Sequence, residues 1–208
     1  MIHLALPPGI PPETAQINYF MTGPFGGYGG FVRTEKGQST YNIVASVDGK
    51  AAVSVKLIVY FPGCELKTFD IPVHNSTVSQ QLLCTPLAQI ALHGQIAPAS
   101  IVQQPSEVEI TYLAIWDHKF FGIADGPVTA IRVAAGAPDQ NGHFEVTVPD
   151  FHAQADLGEA EFQFTLREIK SGNIIAILNP ADECLGSGAL KVRASYAQLI
   201  RFSAGRMH

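Results

Sequence analysis

The sequence predicts an all-β protein, an antiparallel β-sandwich, and three observations carry that reading. Runs of β-branched and aromatic residues recur every 8–15 residues or so with turn residues between them, as in sandwiches and barrels. Residues 143–148 alternate strictly, with Phe144, Val146 and Val148 on one face and His143, Glu145 and Thr147 on the other, the pattern of a strand buried on one side. Helical periodicity is nearly absent. The one weak helical candidate, Asp182 to Leu190, contains two glycines that oppose a helix.

Residues 1–36 open with Pro7-Pro8-Gly9 and Pro11-Pro12 and continue through Gly23-Pro24-Phe25-Gly26-Gly27-Tyr28-Gly29-Gly30-Phe31. Proline and glycine at this density break regular structure, so this segment is expected to be an extended arm. Met1 to Thr14 lacks the basic start and apolar core of a signal peptide. The strands begin with Ser39 to Val47, which ends at the turn pair Asp48-Gly49. Ala52 to Phe61 follows and stops at Pro62-Gly63. Lys67 to Val73, Val78 to Leu83 and Gln89 to Ile96 come next. The polar, proline-bearing stretch 97–106 is the natural boundary. Beyond it lie Glu107 to Trp116, Val128 to Ala134, His143 to Val148, Glu161 to Glu168, Ile174 to Leu178, Lys191 to Tyr196 and Gln198 to Phe202. Asn141-Gly142 is expected to form a type I′ hairpin turn. The expected organisation is an arm (1–36), a first sandwich (37–100) and a second (101–208).

Composition narrows function mainly by exclusion. Charged residues make up 15% of the 208 and the net charge is −5, with Lys and Arg scattered singly. That leaves no electrostatic footprint for nucleic acid. No run approaches 18 apolar residues, so a membrane span is not expected. A surface so poor in charge, against about 25% in average soluble domains, suits an extracellular or cell-envelope protein. Cys64 and Cys84, 20 residues apart, are candidates for a disulfide, with two buried thiols as the other reading and Cys184 left over.

No chemical motif is complete. The seven histidines (His3, His74, His93, His118, His143, His152 and His208) never fall within four residues of one another, and no Cys-x-x-Cys occurs. Asp117, Asp125, Asp139 and Asp150 are carboxylates that loops can gather around calcium, although in Asp139-Gln140-Asn141-Gly142 they read more simply as turn formers. Gly186-Ser187-Gly188 lacks the strand and helix of a nucleophile elbow. Tyr112, Trp116, Phe120 and Phe121 are the residues a sugar-binding platform would use, or else core anchors. Asn75-Ser76-Thr77 is a formal glycosylation acceptor. The sequence therefore assigns no catalytic, cofactor-binding or metal-binding residue, and no cofactor.

Val128 to Val133, then Asp139-Gln140-Asn141-Gly142-His143-Phe144 and Val148-Pro149, with Leu92-His93-Gly94-Gln95-Ile96 as an opening strand, resemble the carboxypeptidase regulatory-like domains. Pro138 stands where that pattern often has Thr. The resemblance covers about residues 90–180. It implies a seven-stranded prealbumin-like (transthyretin-like) sandwich without catalytic residues, often exported and attached to larger assemblies. The related metal-dependent dioxygenases need a closely spaced His pair that this chain lacks. The expected role is structural, self-assembling into an oligomer or filament through the arm and edge strands, with Ala52 to Phe61, whose single charge is Lys56, as a weakly protected edge. A carbohydrate-binding module and a metal-dependent enzyme on the same sandwich are the alternatives.

Overall fold

Alternating apolar residues at the very start of the chain set the architecture of its first half. In the computed structural model, which describes residues 1–24, 26–73, 77–97, 99–117, 128–154, 160–180 and 189–195, Ile2 and Leu4 are each 1% exposed. They lie on β1 (Ile2–Ala5), the central strand of a three-stranded sheet. On one side β1 pairs antiparallel with β4 (Thr40–Ile43), and on the other it pairs in parallel with β9 (Val78–Gln81). A second, antiparallel sheet has the order β3 (Gly27–Val32), β2 (Gln16–Thr22), β7 (Ser54–Tyr60), β8 (Lys67–Pro72). A two-strand ribbon, β5 (Ser46–Val47) and β6 (Lys50–Ala51), completes this part.

The two larger sheets enclose one core. Ile2, Leu4, Ile17, Met21, Val55, Leu57, Val59 and Ile71 all belong to it and are at most 4% exposed. Each such aliphatic side chain contributes about 1.5–3 kcal/mol when fully buried. Cys64 and Cys84 form the disulfide, with a Cα–Cα distance of 5.4 Å. Cys184 lies outside the described residues. Described residues of 116–131 and 149–160 group with Met1–Ala88 as one compact unit. Within it, the Gln154 side-chain amide donates to the Leu66 carbonyl and accepts from the Leu66 N–H, at 2.7 and 3.0 Å.

The second unit takes Gln89–Ile115, Arg132–Val148 and the described residues from 161 onward. The strands of this half are β10 (Gln89–Ala97), β11 (Val108–Asp117), β12 (Val128–Gly136), β13 (His143–Pro149), β14 (Glu161–Glu168), β15 (Ile174–Pro180) and β16 (Ala189–Ser195), of which the end of β11, the first half of β12 and Pro149 group with the first unit. Their order is β12-β11-β14-β15-β16-β10-β13. β10 and β16 pair in parallel, whereas β11–β14, β14–β15 and β15–β16 are antiparallel.

The two strand orders correspond, except that β15 pairs with β16 to join the second unit's strands into one sheet, whereas β8 and β9 belong to separate sheets. Seven strands of the first unit (β1, β2, β3, β4, β7, β8, β9) answer in chain order to β10–β16. In each unit the first strand lies between the fourth and the last, parallel to the last. In each, the remaining four run third-second-fifth-sixth. The likeness reaches the side chains. Ile17-Asn18-Tyr19-Phe20 on β2 and Ile110-Thr111-Tyr112-Leu113 on β11 share buried, half-buried and buried positions at the isoleucine, the tyrosine and the residue after it. Tyr19 faces Leu57 and Tyr112 faces Phe164 across equivalent ladders. The chain is one module built twice, a repeat that the sequence reading missed.

All-β architecture stands as expected, and four finer expectations are corrected. Residues 1–36 are not an arm, because β1 and β2 are core strands whose apolar faces are buried in their own unit. The division does not follow 37–100 and 101–208, since the second unit begins at Gln89 and stretch 97–106 lies inside it. The run Ala52 to Phe61 is not an edge, because β7 sits between β2 and β8. Asn141-Gly142 is not a type I′ hairpin, since only Gly142 has positive φ and β12 and β13 lie at opposite ends of the strand order. The type I′ geometry occurs instead at Asp48-Gly49, φ 50° and 75°, joining the paired β5 and β6.

The Cys64–Cys84 bridge closes a 20-residue separation that spans β8 and β9. Reduction, or the double change Cys64→Ala with Cys84→Ala, is expected to destabilise the first unit by about 3 kcal/mol. Denaturant melts with and without reductant measure this, and coincident curves would refute it.

Candidate functional site

The repeated module presents one sheet face outward in each unit, and the first strand of each carries a histidine there. On β1, Ile2 and Leu4 point inward, so His3 and Ala5 point out. His3 stands across from Asn42 and beside Ser79, and its Nδ1 meets the Asn42 side-chain oxygen. Ala5 stands between Thr40 and Gln81. His3, Thr40, Asn42, Ser79 and Gln81 thus rim an open concavity of about 510 Å³ floored by Ala5. The lining holds no carboxylate, Lys or Arg, and its polar side chains are set in more extensive apolar surface. It offers hydrogen-bond donors and acceptors.

The second unit repeats the histidine with a charged partner. His93 on β10 is exposed, and its Nδ1 lies 3.3 Å from Glu145 Oε2 on β13. Gly94 follows because the Phe144 ring covers it. An added Cβ would stand 2.2 Å from the ring. Phe144 is 5% exposed, so it has little room to yield. Its ring packs 5.5 Å from Phe164, which in turn lies 4.7 Å from Tyr112.

At the 139–143 turn, Asp139 Oδ1 accepts the N–H groups of Asn141 and His143, each at 2.8 Å. Those bonds, led by the His143 N–H, hold its carboxyl below the usual aspartate range. His143 Nδ1 approaches the other oxygen at 3.3 Å. Asp139 therefore holds the turn, which accounts for a carboxylate at that position.

Of the aromatic platform, Tyr112 and Trp116 are described, and both are committed to their own packing. Trp116 is 2% exposed, so its ring is unavailable for stacking. Tyr112 is half-buried and packed against Phe162 and Phe164 of its own unit. Burial pushes its hydroxyl up to about 12. Phe120, Phe121, Asp125, His74, His118, His208, Ser187, Asn75 and Ser76 lie outside the described residues. Among the described residues no three His, Cys, Asp or Glu side chains come together to hold a metal ion. No described helix is long and apolar enough to cross a membrane.

No family model and no curated relative matches the chain. Among solved structures it is similar to a candidate adhesin from Bacteroides ovatus, at 7% identity and TM-score 0.23, over 83% of this chain and 79% of that one. It is also similar to the shaft pilin SpaA of Lactobacillus rhamnosus GG, at 10% identity and TM-score 0.21, over 93% and 97%. Superpositions this loose carry neither a common fold nor a function across.

Two outcomes follow from the second unit's core. Gly94→Ala is expected to cost about 1–3 kcal/mol through the clash with Phe144, read as a drop in melting midpoint; an unchanged midpoint would show that the ring gives way. Tyr112 ionises near pH 10 when unfolded but only near about 12 when folded. The folded state then holds more protons between those values. Stability is full below pH ~10 and falls as pH rises towards about 12. Tyr112→Phe should flatten part of that alkaline loss in melts taken between those pH values, and an unaltered slope would count against it.

Proposed function

We propose that this chain is a non-catalytic, tandem β-sandwich protein of the cell envelope or extracellular space, with an assembly or protein-binding role. The observation that carries the reading is the duplication of one sandwich module. A module repeated with the same strand order and different surface residues supplies length and edges rather than a converged reaction centre. The disulfide supports an oxidising compartment, since such bonds persist there and are rare in the reducing cytosol. The second unit is proposed to be a prealbumin-like sandwich of the carboxypeptidase regulatory-like kind. Its seven strands and the strictly alternating β13 support this. The outward sheet faces around His3 and His93 then act as docking surfaces, neutral in one unit and charge-bearing in the other.

Sedimentation velocity of the full chain, without reductant and from low to high micromolar concentration, tests the assembly role. Mass is expected to rise with concentration. A strictly monomeric chain throughout would overturn it.

A further inference from the structure

We propose that the free edge of β3 pairs antiparallel with β3 of a second copy, making a two-fold dimer; this deepens the assembly reading above and rests on it. β3 has one neighbour among the described strands, β2, and ends its sheet. Sheet edges expose unpaired backbone groups, and proteins blunt them with charges, proline or bulges. β3 reads Gly27-Tyr28-Gly29-Gly30-Phe31-Val32, with none of these protections. It also exposes two rings, Tyr28 at 56% and Phe31 at 73%.

The duplicated module provides an internal control. The equivalent strand of the second unit, β12, also ends its sheet, but it carries Arg132, whose Nη2 lies 2.8 Å from Glu109 Oε2 on β11. With Tyr19 aligned to Tyr112, Gln16 stands where Glu109 stands in the other unit. So one copy of the module guards this edge with an ion pair while the other leaves it neutral.

The edge is also complementary to itself. In an antiparallel pair, facing residues turn the same way towards their partner strand, so a two-fold axis must set one residue opposite its own copy. Centred on Gly30, the pairing sets Tyr28 opposite Val32 of the second copy. Phe31 then lies opposite Gly29, which leaves room for the ring. Gly30 is already filled on one face, because the Tyr19 ring lies where its Cβ would be, 2.5 Å from the hydroxyl oxygen. The ends match in charge. Arg33, after β3, is well exposed and lies 3.7 Å from the exposed Glu35. The Asp48 carboxylate lies beside Gly26, before β3. Antiparallel pairing brings Arg33 of each copy to the end where the other holds Asp48.

The experiment compares full-length wild type, Phe31→Lys, Arg33→Glu and the control Leu83→Lys by sedimentation velocity, with thermal melts to confirm folding. Phe31 and Leu83 are both exposed, so neither change should disturb the core. Phe31→Lys is expected to weaken self-association about tenfold or more, and Arg33→Glu severalfold, while the control matches wild type. If wild type associates and both edge variants match it, the β3 pairing is overturned while the assembly role survives. A monomeric wild type overturns both.

Discussion

Each unit depends on a parallel ladder between its first strand and its last. β1 pairs Ile2 to Val78 and Ala5 to Gln81, while β10 pairs His93 to Ala189 and Ala97 to Arg193. Parallel neighbours cannot be joined by a tight turn, so everything between the two strands must leave the sheet and come back. What leaves and returns is the rest of the module, including the other four strands. This contact makes Met1–Ala88 a closed core instead of a tail followed by a sheet. It also means that the defining contact is made between distant parts of the chain, with its loop-closure entropy paid before the strand pairing rewards it.

From that ladder the placement of the polar residues follows. Because β1 and β10 each turn alternate residues into the core, the residues between must face outward. His3 and His93 are therefore surface groups with neighbours chosen by register, Asn42 in one unit and Glu145 in the other. Both histidines are exposed. The same register explains the aromatic residues. Tyr19 and Tyr112 fall on the core side of the second strand, where one covers Gly30 and the other packs on Phe162 and Phe164.

Duplication lets two solutions to the same structural problem be compared. Both modules leave the third strand at a sheet end. One carries a mid-strand arginine bound to a glutamate, and the other has glycines and two exposed rings. A shared strand order with opposite surface choices separates what the strand order requires from what the surface is for. Core positions such as Ile17 and Ile110 stay apolar because the fold requires it, whereas the third-strand edge is free to differ.

By itself, the sequence determined the all-β class, most strand positions, the inward set Phe144, Val146 and Val148, and the pairing of Cys64 with Cys84 as a candidate. These are local signals: period-two alternation, turn residues and spacing are legible without knowing which strands are neighbours. The tertiary structure decided the rest. Proline and glycine in residues 1–36 read locally as an arm, yet Ile2, Leu4, Ile17 and Met21 are drawn into strands by partners up to about eighty residues away. Asn141-Gly142 carries the local signature of a hairpin, but the Asp139 carboxylate and the separation of β12 from β13 impose another turn. Trp116 was open to two readings until burial settled it. The repeat was hidden because only a short echo, Ile-x-Tyr followed by Phe or Leu, survives in sequence. A sandwich requires apolar residues of roughly the right size at alternating sites and not particular ones, so topology outlasts the residues that encode it.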